Sequence, residues 1–91
     1  MKDIGIHCRV SGKVQGVFFR AYTQEKANAL GVSGWVKNCS NGDVELEAFG
    51  TEEQMQILLE QLQQGPPSSC VKDIQIEKIP FKNINRFEIK H

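Results

Sequence analysis

This 91-residue sequence has no long hydrophobic run and no excess of charge of either sign. Because no segment approaches the roughly 20 apolar residues that span a bilayer, a membrane protein is not expected. Eleven basic residues balance eleven acidic ones, so the chain as a whole should not attract nucleic acid or anionic lipid. The first residues also lack the apolar stretch of a signal peptide. We therefore expect a single small domain over residues 1–91, without membrane or nucleic-acid partners.

Cysteine is scarce, and the three present, Cys8, Cys39 and Cys70, follow no regular spacing. Disulfide frameworks need paired cysteines, so this odd number favours a reducing, cytoplasmic environment. No set of His, Cys, Asp or Glu residues shows the spacing of zinc or magnesium ligands. Neither a metal nor any other cofactor is therefore predicted.

The hydrophobic pattern of the chain predicts five strands and two helices. Period-two alternation predicts strands near residues 4–10, 33–38 and 44–48, a fourth around Ile74 and Ile76, and a short fifth at Phe87 and Ile89. Apolar residues at helical spacing predict one helix from Phe19 to Leu30, ended by Gly31, and a second that begins with a Thr51–Gln54 capping box and ends at Gly65-Pro66-Pro67. Asn41-Gly42 predicts a hairpin turn between the second and third strands.

The order β-α-β-β-α-β is typical of the ferredoxin-like α+β fold, an α/β sandwich in which two helices cover one face of a mainly antiparallel sheet. Here a short C-terminal strand would be added. In this topology the first two strands run parallel, with the third between them, so their C-terminal ends lie at one edge of the sheet. The segment after the first strand and Asn38, at the end of the second, should therefore lie side by side.

The segment Val10-Ser11-Gly12-Lys13-Val14-Gln15-Gly16-Val17-Phe18-Phe19-Arg20 has the features of an anion-binding site. Its two glycines let the backbone bend and leave main-chain N–H groups without a ladder partner. A helix N-terminus at the same place adds its positive dipole end. Arg20 supplies a planar fork of donors that matches a phosphate or a carboxylate. Asn38 offers a carboxamide suited to holding a water molecule beside a bound phosphoryl group.

Two patterns resemble the signatures of the acylphosphatase family. They are Val10-x-Gly12-x-Val14-Gln15-Gly16-Val17-x-Phe19-Arg20 and Gly34-Trp35-Val36-x-Asn38-x-x-x-Gly42-x-Val44-Glu45. The resemblance implies a hydrolase that cleaves the carboxyl-phosphate bond of acyl phosphates and releases inorganic phosphate. It implies that Arg20 binds phosphate and Asn38 orients water. A monomer is expected. The expected phosphate-binding residues form the 14–20 loop: Val14, Gln15, Gly16, Val17, Phe18, Phe19 and Arg20. The sequence shows no pocket for the acyl group, so broad tolerance of acyl groups is expected.

Three alternatives compete with this interpretation. His7-Cys8 resembles the start of the cysteine phosphatase signature His-Cys-x5-Arg, but Val14 stands where the arginine belongs, and Cys8 falls on the apolar side of its strand. An RNA-binding domain of the same topology would need a basic and aromatic third strand, whereas Glu45 and Glu47 indicate an acidic polar sheet face. The third alternative is a non-catalytic, phosphate-binding module like those at the front of larger carbamoyl-transfer proteins.

One departure from the family pattern concerns the last residue. Family members commonly end in an aromatic residue, often tyrosine, after Phe-x-Ile, whereas this sequence has His91. How the last strand braces the site is therefore not predicted.

Overall fold

The computed structural model describes residues 2–91, which form five strands and two helices in the predicted order. The elements are β1 (Asp3–Lys13), α1 (Phe19–Leu30), β2 (Ser33–Asn38), β3 (Val44–Thr51), α2 (Glu52–Gln64), β4 (Cys70–Ile79) and β5 (Phe87–Lys90). No helix in this part of the chain has both the length and the apolar character needed to cross a membrane.

The sheet has the strand order β4-β1-β3-β2-β5. β3 pairs antiparallel with both β1 and β2, so β1 and β2 run in the same direction and end at the same edge. β4 is antiparallel to β1, and β5 is parallel to β2. These pairings confirm the predicted ferredoxin-like topology, including the place of β3 between the first two strands. The shared edge is where the 14–20 loop and Asn38 emerge.

Alternation along the strands sends apolar side chains to the helix-covered face of the sheet. In β1, Ile6, Cys8 and Val10 are buried, while the intervening His7 and Arg9 remain partly exposed on the other face. The largest fully buried side chains of this core include Phe19 of α1, Leu58 and Leu62 of α2, and Leu46 of β3. Each such side chain stabilises the fold by about 1.5–3 kcal/mol. Phe19 thereby fixes the start of α1 to the core, immediately beside Arg20.

The predicted ends of both helices are confirmed. The N–H of Gln54 donates to Thr51 Oγ1 at 3.2 Å, and the N–H of Thr51 donates to Gln54 Oε1 at 2.8 Å, which completes the capping box of α2. Gly31 ends α1 in the left-handed conformation, with φ 77°. Gln54 Nε2 also donates to the carbonyl of Leu30 at 2.8 Å, so one side chain joins the two helix ends.

The structure corrects the role of Gly12. Expected to bend the anion-binding segment, it lies instead inside β1, which continues to Lys13, and it faces Val71 of β4 where the register shifts. A Cβ at Gly12 would lie 2.2 Å from the carbonyl oxygen of Cys70. Glycine is needed here because β4 approaches closely, and the irregular loop begins only at Val14.

Candidate active site

The C-terminal ends of β1 and β2 frame a cleft of about 400 Å³. Arg20, in the first turn of α1, and Asn38, the last residue of β2, both line it, so the topology brings the two predicted residues together. The complete lining is Val14, Gly16, Phe18, Phe19, Arg20, Ala21, Asn38, Ile89 and His91. Two residues of the predicted phosphate-binding set, Gln15 and Val17, do not line the cleft. Ile89, in β5, and His91, which follows β5, also line the cleft, and neither was among the predicted site residues.

Backbone N–H groups are concentrated at this cleft. The first hydrogen bond of α1 runs from the N–H of Tyr22 to the carbonyl of Phe18 at 3.0 Å. Among residues 2–91, no hydrogen bond uses the backbone N–H groups of residues 16–21. A helix start without a side-chain cap leaves its first N–H groups directed outward, at the positive end of the helix dipole. Such a group of donors is suited to an anion.

The 14–20 loop turns sharply at two residues in the left-handed conformation. Gly16 has φ 72°, and an added Cβ would meet nothing within 4 Å. Glycine is therefore favoured here by the backbone conformation and not by a lack of space. Phe18 has φ 64° and is the only non-glycine residue with positive φ in the described part of the chain. For a bulky residue this conformation costs on the order of 1–3 kcal/mol. Strain of this kind is typical of functional loops.

The side chain of Gln15 joins the 14–20 loop to the turn that follows Asn38. Gln15 Nε2 donates to the carbonyl oxygens of Cys39 and Asp43, each at 2.8 Å. Its carboxamide is therefore directed away from the cleft, and only its backbone could take part in phosphate binding. Nothing in the local sequence indicated this contact, because its partners lie 24 and 28 residues further along the chain.

The side chains of Val14, Val17 and Phe19 are buried in the core, with exposures of 1%, 6% and 2%. Any contribution of these residues to an anion site would therefore come from the backbone. Their burial holds the loop against the sheet, so that the backbone N–H donors of the loop are fixed in place.

Arg20 is oriented by the C-terminal end of the described chain. Its Nη1 donates to the carbonyl of Lys90 at 3.2 Å and lies 3.2 Å from His91 Nδ1, which accepts when that nitrogen carries no proton. Within residues 2–91, Arg20 forms no ion pair with a carboxylate. A cation at a helix start is disfavoured by the dipole unless an anion lies between them.

Asn38 has an exposed side chain, and its carboxamide makes no hydrogen bond to another residue in the described chain. Its backbone is held by pairing with Val44 and by the bond from the N–H of Cys39 to the carbonyl of Asp43 at 2.8 Å. The turn itself is closed by the N–H of Asp43 donating to Asn41 Oδ1 at 3.1 Å. The hairpin predicted from Asn41-Gly42 is thus confirmed.

A different polar cluster covers the open face of the sheet. His7 Nε2 hydrogen bonds to Glu45 Oε2 at 2.6 Å, and Lys37 and Arg9 lie 3.7 and 4.0 Å from the same carboxylate. The hydrogen bond from His7 is the main cause that lowers the pKa of Glu45 below its ordinary value. Because the charges here are paired, the cluster agrees with the predicted polar sheet face.

Burial of Cys8 argues against a cysteine phosphatase mechanism. The thiol is fully buried, and this burial raises its pKa to about 12. A thiol with so high a pKa stays protonated at neutral pH and is a poor nucleophile. Burial and the neighbouring Glu45 carboxylate also raise the pKa of Cys39, beside Asn38.

Comparison with known proteins agrees with the resemblance found in the sequence. The family model described as Acylphosphatase matches residues 6–89. A curated acylphosphatase of Coxiella burnetii is 47% identical over 85 residues, which cover 93% of this chain and 90% of that protein. An acylphosphatase structure from the same organism superposes with a TM-score of 0.93 at 45% identity, covering 97% and 93% of the two chains. The acylphosphatase of Bacillus subtilis gives a TM-score of 0.94 at 36% identity, covering 97% and 99%.

Proposed function

The chain belongs to the acylphosphatase family and hydrolyses acyl phosphates, and from this premise we propose how its cleft performs the reaction. Arg20 and the outward N–H groups of the 14–20 loop bind the phosphoryl group, and Asn38 holds the attacking water. The observation that carries this proposal is the convergence in one cleft of an arginine without a carboxylate partner, N–H groups without acceptors, and a free carboxamide. None of these groups has its hydrogen-bonding capacity satisfied within the described chain.

The reaction follows from this arrangement. The loop and Arg20 contact the non-bridging oxygens, on which the negative charge of the transition state is spread. Asn38 places water in line with the bond to be broken, so that a water–phosphorus bond forms as the phosphorus–acyl oxygen bond breaks. The carboxylate leaves with the bonding electrons, and the proton of the water passes to solvent. A carboxylate is a good leaving group, so no general acid is needed.

The proposal includes a reaction without a metal ion, carried out by a cytoplasmic monomer that binds neither nucleic acid nor membrane. Among residues 2–91, no three His, Cys, Asp or Glu side chains are placed to hold a metal. The three cysteines are free, which fits a reducing compartment. The acidic residues of β3, Glu45 and Glu47, do not suit an RNA-binding sheet face.

Gln15 acts in this proposal as a positioning residue. Its two hydrogen bonds to the 39–43 turn fix the distance between the phosphate-binding loop and Asn38. Without these bonds, the segments that hold the water and the phosphorus would be joined only through the sheet. Since small misplacements slow such reactions strongly, this link should affect turnover more than substrate binding.

Release of phosphate from acetyl phosphate, with and without EDTA, tests the proposal. We expect hydrolysis that EDTA does not change, competitive inhibition by inorganic phosphate, and little hydrolysis of a simple phosphate monoester. Loss of most activity in EDTA, restored by magnesium, would contradict metal-free catalysis. Phosphate binding without any hydrolysis would instead indicate a non-catalytic module.

A further inference from the structure

Phe18 is the most exposed large apolar side chain of the described chain, with 85% of its surface accessible, and it lies in the wall of the cleft. Three other phenylalanines, Phe19, Phe49 and Phe87, are at most 3% exposed. Phe81 is 41% exposed and packs edge-on against Phe49, with ring centroids 6.2 Å apart. Phe18 has no aromatic partner among residues 2–91. Its ring therefore does not stabilise the core.

The backbone nevertheless holds Phe18 in one place. It precedes α1 directly, and its carbonyl accepts the first hydrogen bond of that helix, from the N–H of Tyr22 at 3.0 Å. Its left-handed φ of 64° is a conformation in which glycine or asparagine is less strained than phenylalanine. A ring that is exposed, strained and fixed next to Arg20 is best explained by a contact with something that enters the cleft.

The wall of the cleft combines polar and apolar residues. Arg20, Asn38 and the outward N–H groups form the polar part, where the proposed function places the phosphoryl group. Phe18, Ala21 and Ile89 add apolar surface, and the whole volume of about 400 Å³ is of the size that holds a complete small molecule. Because the acyl group is joined to phosphorus through one oxygen, it would lie in the same cleft and could contact these apolar residues.

We propose that Phe18, together with Ile89, is the contact surface for the acyl group, and that the enzyme prefers acyl phosphates with an apolar, above all aromatic, acyl group over those with a small one. This inference rests on the proposed function, since it takes the position of the phosphoryl group from it. It narrows the sequence-based expectation of a broad tolerance of acyl groups. A ring on the substrate would pack on the ring of Phe18, as aromatic pairs do in protein cores.

The test compares kcat/KM for benzoyl phosphate and for acetyl phosphate in the wild type and in two variants. Phe18→Gly removes the ring and tolerates the left-handed backbone, whereas Phe18→Tyr keeps the ring. We expect the benzoyl-to-acetyl ratio to fall about three- to tenfold in Phe18→Gly and to stay within about twofold in Phe18→Tyr. Phe81→Ala, which removes an exposed ring outside the cleft, is the matched control and should leave the ratio unchanged.

The ratio separates the ring from the backbone, because a disturbed loop would slow both substrates alike. Equal losses on both substrates in Phe18→Gly, or a ratio that falls as much in Phe81→Ala, would overturn the assignment of Phe18. A wild type that hydrolyses both compounds with equal efficiency would also overturn it, while leaving the proposed function intact. Failure of the wild type to hydrolyse either compound would overturn the proposed function itself.

Discussion

Arg20 and Arg9 lie in the same small structure but differ in what surrounds their charge. Arg9, on the open face of the sheet, has Asp43 and Glu45 carboxylates each 4.0 Å from its guanidinium. Arg20, at the cleft, donates to the neutral carbonyl of Lys90 and forms no ion pair within residues 2–91. The pattern around Arg9 balances charge internally. That around Arg20 leaves a positive charge beside free N–H donors, which is what an external anion requires.

Substituting each arginine in turn tests the difference between Arg20 and Arg9 most directly. Arg20→Ala should lower kcat/KM at least a hundredfold, since it removes charge-assisted hydrogen bonds that strengthen in the transition state. Arg20→Lys should still lose at least about tenfold, because lysine lacks the planar fork that contacts two oxygens. Arg9→Ala and Arg9→Lys are the matched controls, with activity within about twofold of wild type. Equal losses at the two positions would remove the distinction between them.

Asn38→Ala separates phosphate binding from turnover at the cleft that contains Arg20. Because Asn38 is proposed to hold water and not phosphate, kcat should fall by about ten- to a hundredfold while inorganic phosphate still inhibits competitively. Ser40→Ala, at a neighbouring exposed turn position, serves as the control and should behave like wild type. Near-normal kcat in Asn38→Ala would exclude the water-positioning role. Loss of phosphate inhibition would indicate collapse of the turn.

Gln15→Met tests whether the two halves of the cleft are coupled. Methionine fills a similar volume but donates no hydrogen bond to the carbonyls of Cys39 and Asp43, so kcat should fall about tenfold with a smaller change in KM. Gln24→Met is the control, because Gln24 Nε2 donates to the carbonyl of Phe87 at 3.0 Å without lining the cleft. Both variants should lose similar stability, about 1 kcal/mol. Equal effects on kcat would make Gln15 merely structural.

Glu45→Gln should give the smallest effect on activity and a pH-dependent effect on stability. The folded state lowers the pKa of Glu45 from its ordinary value of 4.5, chiefly through the hydrogen bond from His7. The carboxylate therefore stabilises the protein above that value, and this contribution is lost as the pH falls through the lower, folded-state pKa. Urea unfolding should show Glu45→Gln destabilised by about 1 kcal/mol at pH 7 and by less at pH 3. A difference that does not depend on pH would contradict this account.

The features predicted from the sequence are those with local signals. The alternation of apolar and polar residues predicted the strands, and the Thr51–Gln54 pair predicted the cap of α2. The order of the elements predicted that Arg20 lies near Asn38. What was missed depends on contacts between distant segments. The bonds of Gln15 to the 39–43 turn and of Arg20 to Lys90, 70 residues away, leave no trace in the neighbouring sequence. For the same reason Gly12 was assigned to the loop, since the approach of β4 that requires it comes from outside the segment.

Binding of inorganic phosphate, followed by amide chemical shifts in ¹⁵N-labelled protein, tests the central claim most directly because it needs no turnover. If the anion binds beside Arg20, the largest chemical-shift changes will fall on the backbone amides of residues 16–21 and on the Arg20 side chain. Arg20→Ala will abolish these changes. Amides around Arg9 and Lys37 should change little. Shifts centred on the Arg9 and Glu45 cluster, or equal shifts in the wild type and Arg20→Ala, would contradict the account.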